Sequence, residues 1–228
     1  MTQPYYADDL VTLYLGDCHE VTEWLAADVL VTDPPYGIKW ERGSMDYAWR
    51  CVSAPRPMAI AGDRDTGARD AVLAAWGERP AAVFGDLRGA VPAGSKQVLI
   101  YEKPGDAGTT NSLAGFRRDT EAIHLLGSWP RTYGGRSSIL RTNARQVGGR
   151  TGPGGRYGHP HAKPVDVMET LIAACSRGTI ADPFTDSGST LVAARNLGRP
   201  AIGVEIEERY AERAAKRLCQ DVLITGPV

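Results

Sequence analysis

Two stretches of the chain set chemically capable residues at the ends of apolar runs. Residues 29–37 read VLVTDPPYG, a β-branched run followed by Asp33, Pro34, Pro35 and Tyr36. The run reads as a strand buried on both faces. Its exit is stiff, because proline fixes φ and carries no N–H. A carboxylate, donor-poor backbone and an aromatic ring therefore meet at one corner. A turn that merely ends a sheet strand fits DPP taken alone. Residues 179–205 read TIADPFTDSGSTLVAARNLGRPAIGVE. That is strand, Gly/Ser turn, helix, strand and then an acid. Such a turn lets backbone approach a ligand, and the helix start offers unpaired N–H groups. Glu205 can accept hydrogen bonds from two ribose hydroxyls. An ordinary βαβ unit fits the same pattern.

The elements that position these residues alternate. Leu10–Leu15, Val29–Thr32, Ala81–Phe84, Gln97–Tyr101, Ala122–Leu126, Thr179–Ala181 and Ala201–Val204 read as strands. Helical spacing marks Cys18–Ala27 (Val21, Trp24, Leu25), Gly67–Trp76, the stretch from Pro164 (Met168, Leu171, Ile172, Cys175), Ser189–Leu197 and Glu207–Leu218. Strands alternating with helices imply an α/β fold, a mostly parallel sheet with helices on both faces. Residues 142–158 are glycine-rich without apolar periodicity, as in a flexible arm or a loop ordered by a ligand. One domain over 1–228 is expected, with a loop at 37–66 and a basic insertion at 103–160.

Composition narrows the function classes. The 228 residues are 43% apolar and 23% charged, ordinary for a globular chain. No apolar run approaches the roughly 20 residues of a membrane-spanning helix. The N-terminus has no secretory pattern, so a cytoplasmic protein without a membrane partner is expected. The cysteines, Cys18, Cys51, Cys175 and Cys219, are scattered without CxxC, which points to free thiols and no metal site. The net charge of −1 hides an asymmetry: 18 of 26 basic but only 11 of 27 acidic residues lie between Gly37 and Pro160. The sharpest part runs from Arg117 to Lys163, where Asp119 and Glu121 are the only acids. A polyanion-binding face and a solvated arginine-rich loop both fit that bias.

Four motifs together resemble those of S-adenosylmethionine-dependent DNA amino-methyltransferases. ADPFTDSGST resembles their DPF-x-G-x-G-[ST]-T turn, and TDPPYG their [DNS]-PP-[YFW] corner. HPHAKPVDVMETLI resembles their H-P-x-x-K-P motif and its helix, and LGDCHEV the segment beside the cofactor adenine. Their order along the chain is the circularly permuted order of the beta class, and they cover about a third of the length. One position departs: Asp186 stands where the family usually has glycine.

The resemblance implies a Rossmann-like methyltransferase fold and a role for each matched residue. Asp33 and the Pro34 carbonyl would accept hydrogen bonds from an exocyclic amine. Pro35 would stiffen the corner, and Tyr36 would stack on a base flipped out of the duplex. S-adenosyl-L-methionine is the expected cofactor. Asp17 and Cys18 would flank its adenine and Glu205 its ribose, and Asp182, Pro183 and Phe184 would line its pocket, with Asp182 near the amino group. Ser187, Gly188, Ser189 and Thr190 would form the helix start, and Lys163 would reach its carboxylate or a phosphate. His159 and His161 fall inside the third motif, so no metal is implied. The expected substrate is double-stranded DNA, contacted by Arg117, Arg118, Arg131, Arg136, Arg141, Arg145 and Arg150. Trp40, Tyr47 and Trp49 either close over the flipped base or pack in the core. The insertion is short, which leaves a homodimer to share recognition. An Asp-first corner usually accompanies adenine N6 methylation. N4-cytosine methylation, methylation of RNA or a protein glutamine, and a DNA-binding pseudo-methyltransferase weakened by Asp186 stay open. No nuclease motif is apparent, so a stand-alone methylase is expected ahead of a fused restriction enzyme.

Overall fold

The computed structural model describes residues 2–38, 62–103, 114–131, 134–142 and 162–222. Strand β1 is Tyr6–Ala7, β2 Val11–Leu15 and β3 Val29–Thr32, with all four residues of β3 buried. β4 is Ala81–Gly85, β5 Ser95–Glu102, β6 Thr120–Leu126 and β7 Ile139–Arg141. β8 (Ile180–Asp182) and β9 (Ala201–Glu205) complete one sheet of order β1-β2-β9-β8-β3-β4-β6-β5-β7. The five strands from β2 through β4 in that order run parallel. β6 is antiparallel to both its neighbours, and β7 is parallel to β5.

Side chains alternate across the buried strands, so each face needs its own cover. Val29 and Val31 pack in the layer holding Met168 and Leu171 of α2 (Val165–Ala174), Leu191 of α3 (Ser189–Asn196) and Ala211 of α4 (Glu208–Val222). Leu30 and Val83 pack with Val72 and Trp76 of α1 (Gly67–Trp76) and with Trp24. Trp24 and Trp76 stack at 5.9 Å, and Arg79 lies 3.6 Å over the Trp76 ring. Arg79 Nη1 also donates to the carbonyls of Leu25 and Ala27, pinning the chain just before β3. Among the described residues, no helix is long and apolar enough to cross a membrane.

Three local expectations change. Cys18–Ala27 is not an α-helix; only a 3-10 turn forms, over Glu23–Ala26. Asp17 caps the His19 N–H, and the Trp24 indole N–H donates to the Cys18 carbonyl at 2.9 Å, taking the acceptor that a helix would use. The periodic residues Val21 and Trp24 are buried all the same. Two edge strands, β1 and β7, are too short for any alternation to show. Finally, β6 and β7 lie inside the 103–160 stretch, so part of it builds the sheet.

Candidate active site

Ligands of open parallel sheets bind beyond the carboxyl ends of the strands. Here β2, β9, β8 and β3 are sheet neighbours and end at Leu15, Glu205, Asp182 and Thr32. The residues that follow those ends are the ones the sequence singles out. Thr32 ties two ends together, its hydroxyl donating to Asp182 Oδ1 at 2.7 Å.

Beyond β3 the corner is pinned from outside. The backbone N–H groups of Gly37 and Ile38 donate to Asp63 Oδ1 at 2.7 and 3.4 Å, and Asp63 is buried. Gly37 has φ 72°, and a Cβ there would lie 2.7 Å from the Asp65 backbone. Asp63 therefore fixes the exit from the two prolines, a role its sequence context does not reveal.

Asp33 belongs to a network of charged and aromatic side chains. Lys163, just ahead of α2, sets Nζ 2.6 Å from Asp33 Oδ2 and 3.2 Å from Glu121 Oε2. The Tyr36 hydroxyl donates to Asp33 Oδ1 at 2.7 Å and lies 3.3 Å from Glu121 Oε2. Lys103, just past β5, holds Glu121 Oε1 at 2.6 Å. Lys163 also lies 5.2 Å from the Phe84 ring centroid and 5.5 Å from that of Tyr36. Two carboxylates and two ammonium groups leave the cluster neutral, which lessens the cost of burying it. The Asp33 side chain keeps 21% of its surface exposed, against 6% for Lys163 and 9% for Glu121, so the cluster opens outward at Asp33.

The two acids are not equivalent. Burial raises Asp33 above the usual carboxylate range; the Glu121 charge adds to this, while Lys163 and Tyr36 oppose it. Burial also pushes Glu121 up, but Lys163 and Lys103 hold it below its ordinary value. Burial opposes the charge on Lys163 too, yet the two carboxylates keep it well above the usual lysine range. Burial next to Asp33 raises the Tyr36 hydroxyl, keeping it a neutral donor. Acids pushed apart in this way divide the labour of proton acceptor and fixed anion.

The cofactor candidates line the neighbouring ends. Glu205 takes the Asp186 N–H on Oε2 at 2.7 Å and the Glu207 N–H on Oε1 at 2.8 Å, leaving lone pairs on both oxygens. Burial pushes Glu205 up to about 7 and Asp182 up to about 6. Asp182 Oδ1 also accepts the Phe184 N–H at 3.2 Å, and Pro183 is buried beside it. Gly188 is left-handed at φ 83° ahead of α3, and Ser187, Ser189 and Thr190 are buried behind it. Arg217 of α4 clamps this turn, Nη1 donating to the Ser187 carbonyl at 2.6 Å. Asp186 adopts φ 49°, a region aspartate tolerates better than most residues. Cys18 is buried and its thiol is pushed up to about 12, so it is no nucleophile. Asp17 forms the turn that leads past it.

Lys163, expected at the cofactor carboxylate or a phosphate, has its Nζ engaged by Asp33 and Glu121. Glu121 and Lys103 fall in none of the four motifs. The arginines separate. Arg117 and Arg118 lie just ahead of β6, with Asp119 between them and the strand, whose first residue pairs with Glu102 at the carboxyl end of β5. Arg141 ends β7 there and pairs with Glu102 at 2.8 Å. Those three stand on the site's face of the sheet. Arg131 lies exposed in the connection that leaves β6 at the opposite edge. Arg136 does not join the site: its Nη2 donates to the Ala173 carbonyl at the far end of α2. Arg145, Arg150, His159, His161, Trp40, Tyr47 and Trp49 lie outside the described residues.

Comparison with known proteins bears on the family and the fold. The N6_N4_Mtase family model, described as DNA methylase, matches residues 89–217. The type II methyltransferase M.ScaI of Streptomyces caespitosus is 46% identical over 65 residues, 28% of this chain and 21% of that protein. The chain thus spans about a fifth of the length of the first curated relatives it matches. YubD of Escherichia coli (strain K12) is 26% identical over 224 residues, 89% of this chain and 88% of YubD. Among solved structures, the PvuII DNA methyltransferase (cytosine-N4-specific) superimposes with a TM-score of 0.65 at 14% identity, covering 95% of this chain and 89% of that one. The M1.HpyAVI–SAM complex gives 0.57 at 19% identity, covering 91% and 100%. At these identities the likeness is one of fold.

Proposed function

The chain belongs to the N6_N4_Mtase family of DNA methylases, and from that premise we propose that it methylates the exocyclic amine of a flipped base in double-stranded DNA, adenine N6. The observation that carries this reading is Asp33: an outward-opening carboxylate, oriented on both oxygens, beside strand ends suited to a nucleoside. The donor set fits S-adenosylmethionine. Glu205 offers acceptors for ribose hydroxyls, Asp182 an anion for the ammonium, and the Gly16–Cys18 turn a backbone edge for the adenine. When bound, that cofactor supplies the methyl group: the amine lone pair forms the new N–C bond and the C–S electron pair stays on sulfur.

The protein's part is positioning and charge. Asp33 and the Pro34 carbonyl accept the two amine N–H groups, turning the lone pair away from the base ring. Tyr36 offers its ring to the base and its hydroxyl to Asp33. The nitrogen becomes acidic only after transfer, and Asp33 then takes the surplus proton and passes it to water. Arg117, Arg118 and Arg141 meet the phosphates on the same face.

The test is product identification. Unmethylated duplex DNA is incubated with the protein and S-adenosylmethionine, digested to nucleosides and analysed by mass spectrometry. N6-methyladenine is expected. N4-methylcytosine would replace the adenine assignment, and no methylated base from folded protein would sink the enzyme reading. Asp33→Ala should lower turnover by about 100-fold or more while cofactor binding stays within about twofold, since among the described residues no hydrogen bond or ion pair joins Asp33 to Glu205, Asp182 or the Gly16–Cys18 turn; near-normal turnover would remove Asp33 from the mechanism.

A further inference from the structure

Glu121 belongs to none of the motifs, yet it touches three members of the cluster around Asp33. It opens into the site from β6, opposite Tyr101 of β5. Its Oε2 faces Lys163 Nζ at 3.2 Å and the Tyr36 hydroxyl at 3.3 Å, and its Oε1 holds Lys103 at 2.6 Å. Lys163 and Tyr36 are the two groups that occupy Oδ2 and Oδ1 of Asp33. We propose that Glu121 is a positioning residue: it shares Lys163 and Tyr36, the two groups on the oxygens of Asp33, and so fixes the orientation and charge of that carboxylate.

The geometry forms a closed ring, Asp33–Lys163–Glu121–Tyr36. Each donor is shared between the two acids and sits closer to Asp33 than to Glu121. Lys103 balances the Glu121 charge, leaving Lys163 to balance Asp33. Without the Glu121 charge, Lys163 has one anion to face and closes on Asp33 alone. Asp33 then carries the whole of the Lys163 charge on Oδ2 and becomes a poorer acceptor for the amine N–H and for a proton. Glu121 therefore works through Lys163 and Tyr36 and touches neither base nor cofactor.

The charged and titratable neighbours are few. Asp33 is faced by Tyr36 from its own corner, Lys163 from the start of α2, Glu121 from β6 and Asp182 from β8. Lys103 and Tyr101 from β5 act on Glu121. Asp166 of α2 is held by the Thr142 hydroxyl at 2.9 Å. Glu121→Gln keeps the shape and removes only the charge. The Glu121→Gln/Lys103→Gln pair removes both charges and keeps the cluster neutral, so that a folded variant is available if the single change unfolds.

This inference rests on the proposed methyl transfer for its kinetics but not for its second readout, the carbon-13 titration of the Asp33 carboxylate in cofactor-free protein, assigned through Asp33→Asn. In the variant, Asp33 should titrate lower by about one pH unit, and the acid limb of kcat should move the same way. kcat should fall about 100-fold with the cofactor KM within about twofold, and Glu121→Asp should recover part of the activity. Titration and acid limb both unmoved in a folded variant would overturn the proposal, leaving Glu121 a structural ion pair. If the natural protein methylates no base, the proposed function fails, while the titration still decides for or against Glu121.

Discussion

Glu205 carries a cost that its ligand can relieve. Two backbone N–H groups orient it, but burial lifts it from 4.5 to about 7. The unfolded chain ionises first as pH rises, so the folded state holds the extra proton in between. The stability that Glu205 contributes is therefore full below about pH 4.5 and lost as pH rises through 7, a swing of about 3 kcal/mol. Glu205→Gln should melt higher than the natural protein at pH 8 and alongside it at pH 4.5; equal melting at both would mean that Glu205 is ionised without penalty. Ribose hydroxyls donate to the ionised form and lower its pKa, so ligand binding releases a proton. Methylthioadenosine, which lacks the titrating amino-acid end, should bind more tightly as pH rises from 5.5 to 7 and level off above. Calorimetry in buffers of different ionisation enthalpy reads that proton, and affinity flat across the range would separate Glu205 from the ribose.

At the scale of elements, the turn between β8 and α3 is the most constrained piece of the site. Asp186 and Gly188 are both left-handed, and a Cβ on Gly188 would lie 2.9 Å from that of Ala214 in α4. Gly188→Ala should cost about 2 to 4 kcal/mol, from left-handed strain and overpacking, and weaken cofactor binding by displacing the helix start. Adding Ala214→Gly should recover the packing part and leave the strain. Melting and cofactor titration of the single and double variants check this; full recovery would mean that φ carries no cost. This turn is legible in the sequence because glycine, serine and the flanking apolar runs are local signals, as are β3 and α1, whose bounds match. What is not legible depends on interactions across the chain. Glu121 reads as one acid in a basic stretch until β6 brings it beside Lys163, and Asp63 reads as a loop acid until Gly37 and Ile38 turn onto it. The spacing of Val21, Trp24 and Leu25 suggests a helix because burial there is periodic, but the indole of Trp24 claims the carbonyl that would extend it.

For the whole molecule, charge is divided between the two ends of the sheet. The acidic cofactor groups and the Asp33 cluster crowd the carboxyl ends of the strands. A polyanion approaching that end meets Asp182, Glu205 and Asp33 unless cations screen them. Arg117 and Arg118 stand on that face, at the mouth of the strand that carries Glu121; Asp119 takes part of the Arg117 charge at 3.1 Å. Arg136 belongs to the other end, tied to the Ala173 carbonyl, and its charge is too remote to help. The two groups make opposite predictions. Each cation withdrawn from a phosphate lowers the slope of log affinity against log salt by about 0.9. Arg117→Gln/Arg118→Gln should therefore weaken duplex binding and flatten that slope by up to about 2 between 50 and 200 mM salt. Arg136→Gln should leave the slope unchanged and lower the melting temperature. Fluorescence anisotropy of a labelled duplex measures the slopes, and thermal melting the stability. A slope that responds to Arg136 and ignores Arg117 and Arg118 would put the DNA at the amino ends of the strands, too far from Asp33 for any flipped base to reach it.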